Sequence, residues 1–299
     1  MGSKLNYAVC FAGLATMGGS VSAADMLVKT SLDARAWMNP ILIANTQVGL
    51  SIVGQRVDYY ETTSTDPRFS SEAGWLPGLQ FGLSAMGPAG PVSNIYFMGA
   101  FTWLYGQTQY GASGGPVRSD RSGADIRALD LRFGKGFEIA ADWMVTPYLG
   151  MGYRGWDRSL SNRFGPSGYD ELYEHTYIGG GMLLQWAATE RLVLSASGLI
   201  GTTSAPTMKT SYNGGFPINP WTYNLGPSSI YMAGLSADYA LTNKWHINAG
   251  IDFLGFRYGA SPWAPDGTRE PDSQTSNWTV KAGFGYSFHK PSAVAANDW

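Results

Sequence analysis

The run from Trp278 to Phe288 constrains this chain more than any other stretch. Trp278, Val280, Ala282, Phe284, Tyr286 and Phe288 alternate with Thr279, Lys281, Gly283, Gly285 and Ser287. Successive side chains of a strand point to opposite faces, so six apolar groups share one face and Lys281 lies on the other. The same period of two recurs upstream. Leu79, Phe81, Leu83 and Ala85 share a face, as do Ile95, Phe97, Phe101 and Trp103. Leu129, Leu131, Phe133 and Phe137 repeat the pattern, and so do Trp245, Ile247, Ala249, Ile251 and Phe253.

Ten strands are expected, over 47–61, 75–87, 93–110, 125–140, 145–159, 171–187, 192–208, 229–241, 245–259 and 277–288. Their connections alternate in length. Short links carry Gly87-Pro88-Ala89-Gly90-Pro91, Ala141-Asp142-Trp143, Thr189-Glu190-Arg191 and Thr242-Asn243-Lys244. Long ones cover 62–74, 111–124, 160–170, 209–228 and 260–276 and are rich in Gly, Pro, Ser, Thr, Asn and Asp. Only 14% of the chain is charged although 44% is hydrophobic. No apolar run of about 18 residues follows position 24, so helical membrane spans are excluded. Low charge, abundant aromatics and strict alternation fit an all-β fold: a closed antiparallel up-and-down transmembrane β-barrel of about ten strands. A secreted β-sandwich is the competing architecture. The net charge of −2, with dispersed basic residues, gives no support for nucleic-acid binding.

Residues 1–24 read as a signal peptide. Lys4 opens it, an apolar run extends from Leu5 to Met17, and Ser20-Val21-Ser22-Ala23-Ala24 offers small residues for cleavage. The single cysteine, Cys10, falls inside it, so no disulfide is expected in the mature chain. Residues 25–46 do not alternate and are expected to rest in the periplasm or plug the lumen. A short helix is expected to begin at Ser31–Ala36 and to end at Pro40. The strand ending in Phe288, with Tyr286 two residues earlier, resembles the closing strand of Gram-negative outer-membrane β-barrels. That resemblance implies a barrel over 47–288 in the outer membrane, contact with its lipid, and recognition by its assembly machinery through the Phe288 strand. The family's terminal Phe is usually the last residue, so the tail 289–299 is a departure.

Parity assigns the faces. Asp130, Arg132, Glu138, Arg154, Asp238, Asp252 and Lys281 are expected to line the lumen, where Asp130 would offset both Arg132 and Arg154. Trp75, Trp143, Trp186, Trp245 and Trp278 are expected at the two membrane interfaces. Arg127 and Lys135 share the lipid-facing parity and so belong near the rims. Val48, Leu50 and Ile52 share a face with Arg56 and Asp58, which predicts a bulge near Gly54. A barrel of about eight strands is filled by side chains and one of 16–18 is open, so ten favours an occluded, polar-packed lumen.

No complete catalytic motif emerges, and no metal or cofactor is called for. Gly150-Met151-Gly152-Tyr153-Arg154-Gly155 matches G-x-G-x-x-G, but it sits within a strand pattern without a following helix. Glycines that relieve crowding explain it, and Gly179-Gly180-Gly181 likewise. His175 stands near Asp170, Glu171 and Glu174, and a carboxylate–histidine couple at a barrel rim could activate water. The strand number is similar to that of the omptins, ten-stranded outer-membrane proteases. Their Asp-x-Asp is missing here, with Gly74 and Trp75 at the corresponding strand top. The His-x-Ser couple of outer-membrane phospholipase A is missing too, since Thr176 and Tyr177 follow His175. A rim histidine with ordinary hydrogen bonds is expected, with His246 at an inner turn and His289 beyond the barrel. Pro265–Asp272 carries three carboxylates without the ligand order of a calcium loop, and a solvated surface loop is expected. The leading functional expectation is a surface-binding or envelope-structural barrel whose long loops meet an unknown extracellular ligand. A narrow channel for small solutes and a barrel-rim hydrolase using His175 are the alternatives.

Overall fold

The computed structural model describes residues 39–113, 119–160, 169–212, 221–265 and 267–289. A five-residue helix, α1 (Pro40–Ala44), precedes twelve strands. These are β1 (Gln47–Thr62), β2 (Ser70–Ala89), β3 (Val92–Ala112), β4 (Ser119–Lys135), β5 (Phe137–Ala140) and β6 (Trp143–Leu160). There follow β7 (Tyr169–Ala187), β8 (Leu192–Tyr212), β9 (Thr222–Asn224), β10 (Ser229–Ala240), β11 (Trp245–Tyr258) and β12 (Asp272–Ser287). Successive staves pair antiparallel, with β4 pairing β6 and β8 pairing β10, and β1 pairs with both β2 and β12, closing the sheet on itself. β5 continues the line of β4 after Gly136, and β9 is a short addition to β8. Ten staves therefore form a closed up-and-down barrel with no free edge.

Closure follows from the alternation. Along β1 the odd positions Ser51, Val53, Gln55, Val57, Tyr59 and Glu61 are buried, while Leu50 and Ile52 are exposed. Around the wall Phe81, Phe101, Phe133, Leu149, Ile178, Met182, Ile200, Leu235 and Phe284 also face outward, so the exterior is an apolar belt. Such a belt is stable against hydrocarbon and unfavourable against water. Among the described residues no helix is long and apolar enough to cross a membrane.

The strands outrun the expected boundaries at the loop-bearing end. β2 holds 20 residues and begins at Ser70, inside the expected loop. At about 3.4 Å per residue and a tilt near 45° it rises roughly 50 Å, beyond a hydrocarbon core of about 30 Å. The bulge expected at Gly54 is absent. β1 keeps one register with both neighbours, and Arg56 and Asp58 stay on the outer face, with Asp58 3.8 Å from Arg68. A charged outward pair is tolerated because it stands toward the loop-bearing end rather than at the midplane. Arg127 is tolerated in the same way, held by Asp125 at 2.9 Å, while Lys135 at the opposite end reaches the Ser93 carbonyl at 3.3 Å. Pro40 starts a helix rather than ending one: it occupies the first helical turn, and the Asn39 side chain caps it by accepting from the Ile41 N–H at 2.9 Å. The helix expected from Ser31, the signal peptide 1–24 and the tail from 290 lie outside the described residues.

The strand glycines make room for rings. A Cβ on Gly152 would run into the Leu129 carbonyl and the Tyr177 ring, and one on Gly181 into the Tyr148 ring.

The barrel interior as candidate functional site

Outer-membrane barrels carry short turns at the periplasmic end and long loops at the extracellular one, and the two ends of this barrel are named by that rule. At the extracellular end Arg158 of β6, fully buried, gathers carboxylates from several staves. Its Nε donates to Glu72 of β2, its Nη1 donates to Glu171 of β7 at 2.7 Å, and Glu61 of β1 lies 3.6 Å away. The rings of Tyr110, Tyr59 and Trp156 stand 5.1, 5.4 and 5.8 Å from its guanidinium carbon. Tyr59 donates to Glu61 at 2.8 Å, and its hydroxyl lies 3.2 Å from that of Tyr173. Tyr173 in turn donates to Glu270 at 2.6 Å.

Glu270 belongs to the segment between β11 and β12, and it corrects the expectation of a solvated loop. Its side chain is 8% exposed, and its N–H donates to Ser261 Oγ at 2.9 Å across the loop. Burial, then the nearby Glu61 and Glu171 carboxylates, hold its pKa well above the ordinary carboxylate range. Three carboxylates thus surround one guanidinium, Glu270 joins them through Tyr173, and the raised pKa of Glu270 favours its neutral form and so reduces the imbalance.

Further down the same strands Val57, Leu76, Leu104 and Ile126 point inward and are fully buried. His175 is inward too, which corrects the expectation of a rim histidine. It is 2% exposed, its Nδ1 lies 2.5 Å from the Tyr258 hydroxyl, and its ring stands 4.8 Å from Phe256. The carboxylates proposed for it are engaged elsewhere. Asp170 accepts from Ser159 at 2.6 Å, Glu174 accepts from Lys209 at 2.6 Å, and Glu171 is bound to Arg158.

The periplasmic half of the lumen holds a cavity of about 300 Å³ lined by Asp130, Arg132, Asp238, Asp252 and Lys281. Arg132 pairs with Asp130 at 2.7 Å and Lys281 with Asp252 at 2.6 Å. His246 is buried, and its Nδ1 lies 2.6 Å from Asp238, which also accepts from Gln47 at 3.0 Å. α1 and the residues after it pack against the inner wall. Asn45 donates to Gln185 on the far wall at 2.6 Å, and Ile41 is fully buried.

Two lumen expectations need correction. Glu138 is exposed: the ladder breaks at Gly136, and β5 carries it to the periplasmic rim, where Asn94 reaches it at 3.4 Å. Parity gave its face but not its height. Arg154 points inward and is 3% exposed, but Asp130 does not offset it, because Arg154 is in register with Ala128 while Asp130 faces Gly152. The five tryptophans all stand on the outer wall. Trp143 and Trp186 stack at 5.5 Å, Trp245 meets Tyr286 edge-on at 5.2 Å, and Trp278 packs on Phe253 at 5.0 Å. Trp75 is exposed opposite Arg56. The cluster of Glu61, Glu72, Arg158, Glu171 and Glu270 was not anticipated. Its signal was the inward parity of Glu72 and Arg158, masked because 62–74 reads as loop and 159 as a strand end.

In fold the chain is similar to the outer membrane protease OmpT from Escherichia coli, with a TM-score of 0.51 and 12% identity over 82% of this chain and 97% of that one. The chain has the fold of an outer-membrane β-barrel. Other similar structures of this barrel include the translocator domain of autotransporter NalP from Neisseria meningitidis (TM-score 0.40, 14% identity, 89% of this chain and 98% of that one). Another is Ail, the attachment invasion locus protein of Yersinia pestis (TM-score 0.33, 11% identity, 82% and 99%). In sequence, no protein-family model and no curated protein matches the barrel. At these identities the likeness is one of architecture, and the chemistry of the interior has to be read from this chain's own residues.

Proposed function

We propose that this protein is a non-conducting outer-membrane barrel that works through its extracellular end, as a surface-binding or envelope-structural protein. The observation that carries this reading is the mouth layer. Arg158 reaches β1, β2 and β7, and Glu270 brings the β11–β12 loop into the same network. A solute would have to break several buried charge-assisted hydrogen bonds to pass, and such bonds are the costly ones to lose. The loop that closes the mouth also presents Trp263, 66% exposed, with the Arg269 guanidinium 5.2 Å from its ring. An exposed aromatic beside a cation is a natural contact point for an extracellular ligand.

The channel reading keeps one supporting observation, the charged cavity in the periplasmic half. Single-channel recording in planar bilayers separates the two. The occluded reading expects no steps for the wild type and steps in Arg158→Ala, whereas steady wild-type conductance supports the channel. The hydrolase reading lacks a supporting dyad, since His175 Nδ1 is engaged by a tyrosine rather than a carboxylate.

A further inference from the structure

Arg154 and Arg158 lie four residues apart on β6, both inward and both buried, in opposite surroundings. Arg158 sits among three carboxylates, whereas Arg154 has no ion-pair or hydrogen-bond partner among the described residues. Its guanidinium carbon stands 5.6 Å from the Trp156 ring centre and 5.5 Å from that of Phe256. Rings attract the cation but leave its in-plane N–H groups unused, and Nε and Nη2 are buried without an acceptor. Directly opposite on β7 is His175, bordering the same Phe256 ring. Its Nδ1 faces the Tyr258 hydroxyl and its Nε2 is buried without a partner. When Tyr258 donates to Nδ1, Nε2 carries the hydrogen and becomes a further donor. The indole Nε1 of Trp156 is one more buried donor lacking an acceptor.

The wall is irregular at this height. β8 carries an extra residue between the pairs Glu174–Thr207 and Thr176–Ser204, and Ala205 holds a φ of +46°. A bulge therefore faces His175, and bulges re-aim side chains beside functional sites. The balance is one-sided: a buried cation and N–H donors, with no anion to receive them. Water satisfies donors but not an unpaired buried charge, which is costly to leave uncompensated.

We propose that Arg154, with the Nε2–H of His175, binds a small monovalent anion of halide size in the middle of the lumen. The nearly complete burial of Trp156, Phe256 and Tyr258 around it favours a compact ion over an organic anion. Such a site is compatible with an occluded or a conducting barrel alike.

The test uses the whole barrel in detergent, with bromide and chloride as probes. Crystals soaked in bromide are expected to show an anomalous peak beside the Arg154 guanidinium and His175. The melting temperature, at ionic strength held constant with gluconate, is expected to rise roughly 3–5 °C per tenfold increase in chloride once chloride exceeds the Kd. Arg154→Met should abolish that dependence and Arg154→Lys should retain part of it. Should Arg154→Met fail to fold, the wild-type bromide map and salt series decide alone. No bromide peak at Arg154, peaks confined to surface cations, or a chloride dependence that survives in Arg154→Met would each overturn the proposal.

Discussion

Removing the Arg158 guanidinium is the most informative perturbation of the mouth. In Arg158→Met the stem is kept while the cation is lost, leaving Glu61, Glu72, Glu171 and Glu270 facing one another. Deleting one partner of a buried ion pair costs about 3–5 kcal/mol, because the remaining charge is left uncompensated. Here two donated hydrogen bonds and a third carboxylate at 3.6 Å depend on one group, so the upper part of that range is expected at pH 7.5. Urea unfolding in detergent, followed by tryptophan fluorescence, measures it. The Glu72→Gln, Arg158→Met double mutant should show a coupling energy of about 0.5–3 kcal/mol. A loss below about 1 kcal/mol, with no coupling, would refute the buried network.

Glu270 has a raised folded-state pKa, so its contribution is present below its unfolded value and is lost as pH rises through the raised folded one. Trypsin cleavage after Arg269 should therefore accelerate with pH in the wild type beyond the enzyme's own dependence, measured on an unfolded peptide, and Glu270→Gln should remove that excess. Arg132→Ala leaves Asp130 half-buried without its 2.7 Å partner and should lower unfolding stability by about 1–3 kcal/mol, measured by the same urea titration. On the outer wall, Ile251→Arg should cost up to about 2–4 kcal/mol in lipid vesicles, depending on its depth, whereas Thr65→Arg in the β1–β2 connection should change stability by less than about 0.5 kcal/mol.

Where a strand alternates, the sequence carries both its face and its neighbours. Leu79, Phe81 and Leu83 on β2 and Ile247 and Ile251 on β11 stand outward as their parity requires, and the count of ten staves follows from the short and long links. What was hidden has a common cause. Parity is one-dimensional, and strand tilt and register decide which inward residues share a height. Arg132 and Arg154 therefore looked equivalent while only one reaches Asp130, and Glu138 looked luminal while lying past the barrel's end. The mouth layer was obscured differently. Glu72 lies among Ser and Gly, which read as loop, and Glu270 lies in a segment rich in Pro and Asp. The parity of Glu72 is hidden by that composition, and the side chains that bind the two carboxylates come from β3, β6 and β7, far away in sequence.

A transmembrane barrel requires β12 to cross the membrane with one face in lipid and the other toward the lumen. Cys10 is the only cysteine in the chain and falls within the expected signal peptide, so a cysteine-free background for spin labels needs at most a single change. Nitroxides placed singly at Thr279, Val280, Lys281, Ala282 and Phe284 in lipid vesicles report collisions with lipid-dissolved oxygen. High oxygen collision rates are expected at 280, 282 and 284, and low rates at 279 and 281, a period of two. Uniform rates along the segment, or a period near 3.6, would contradict it.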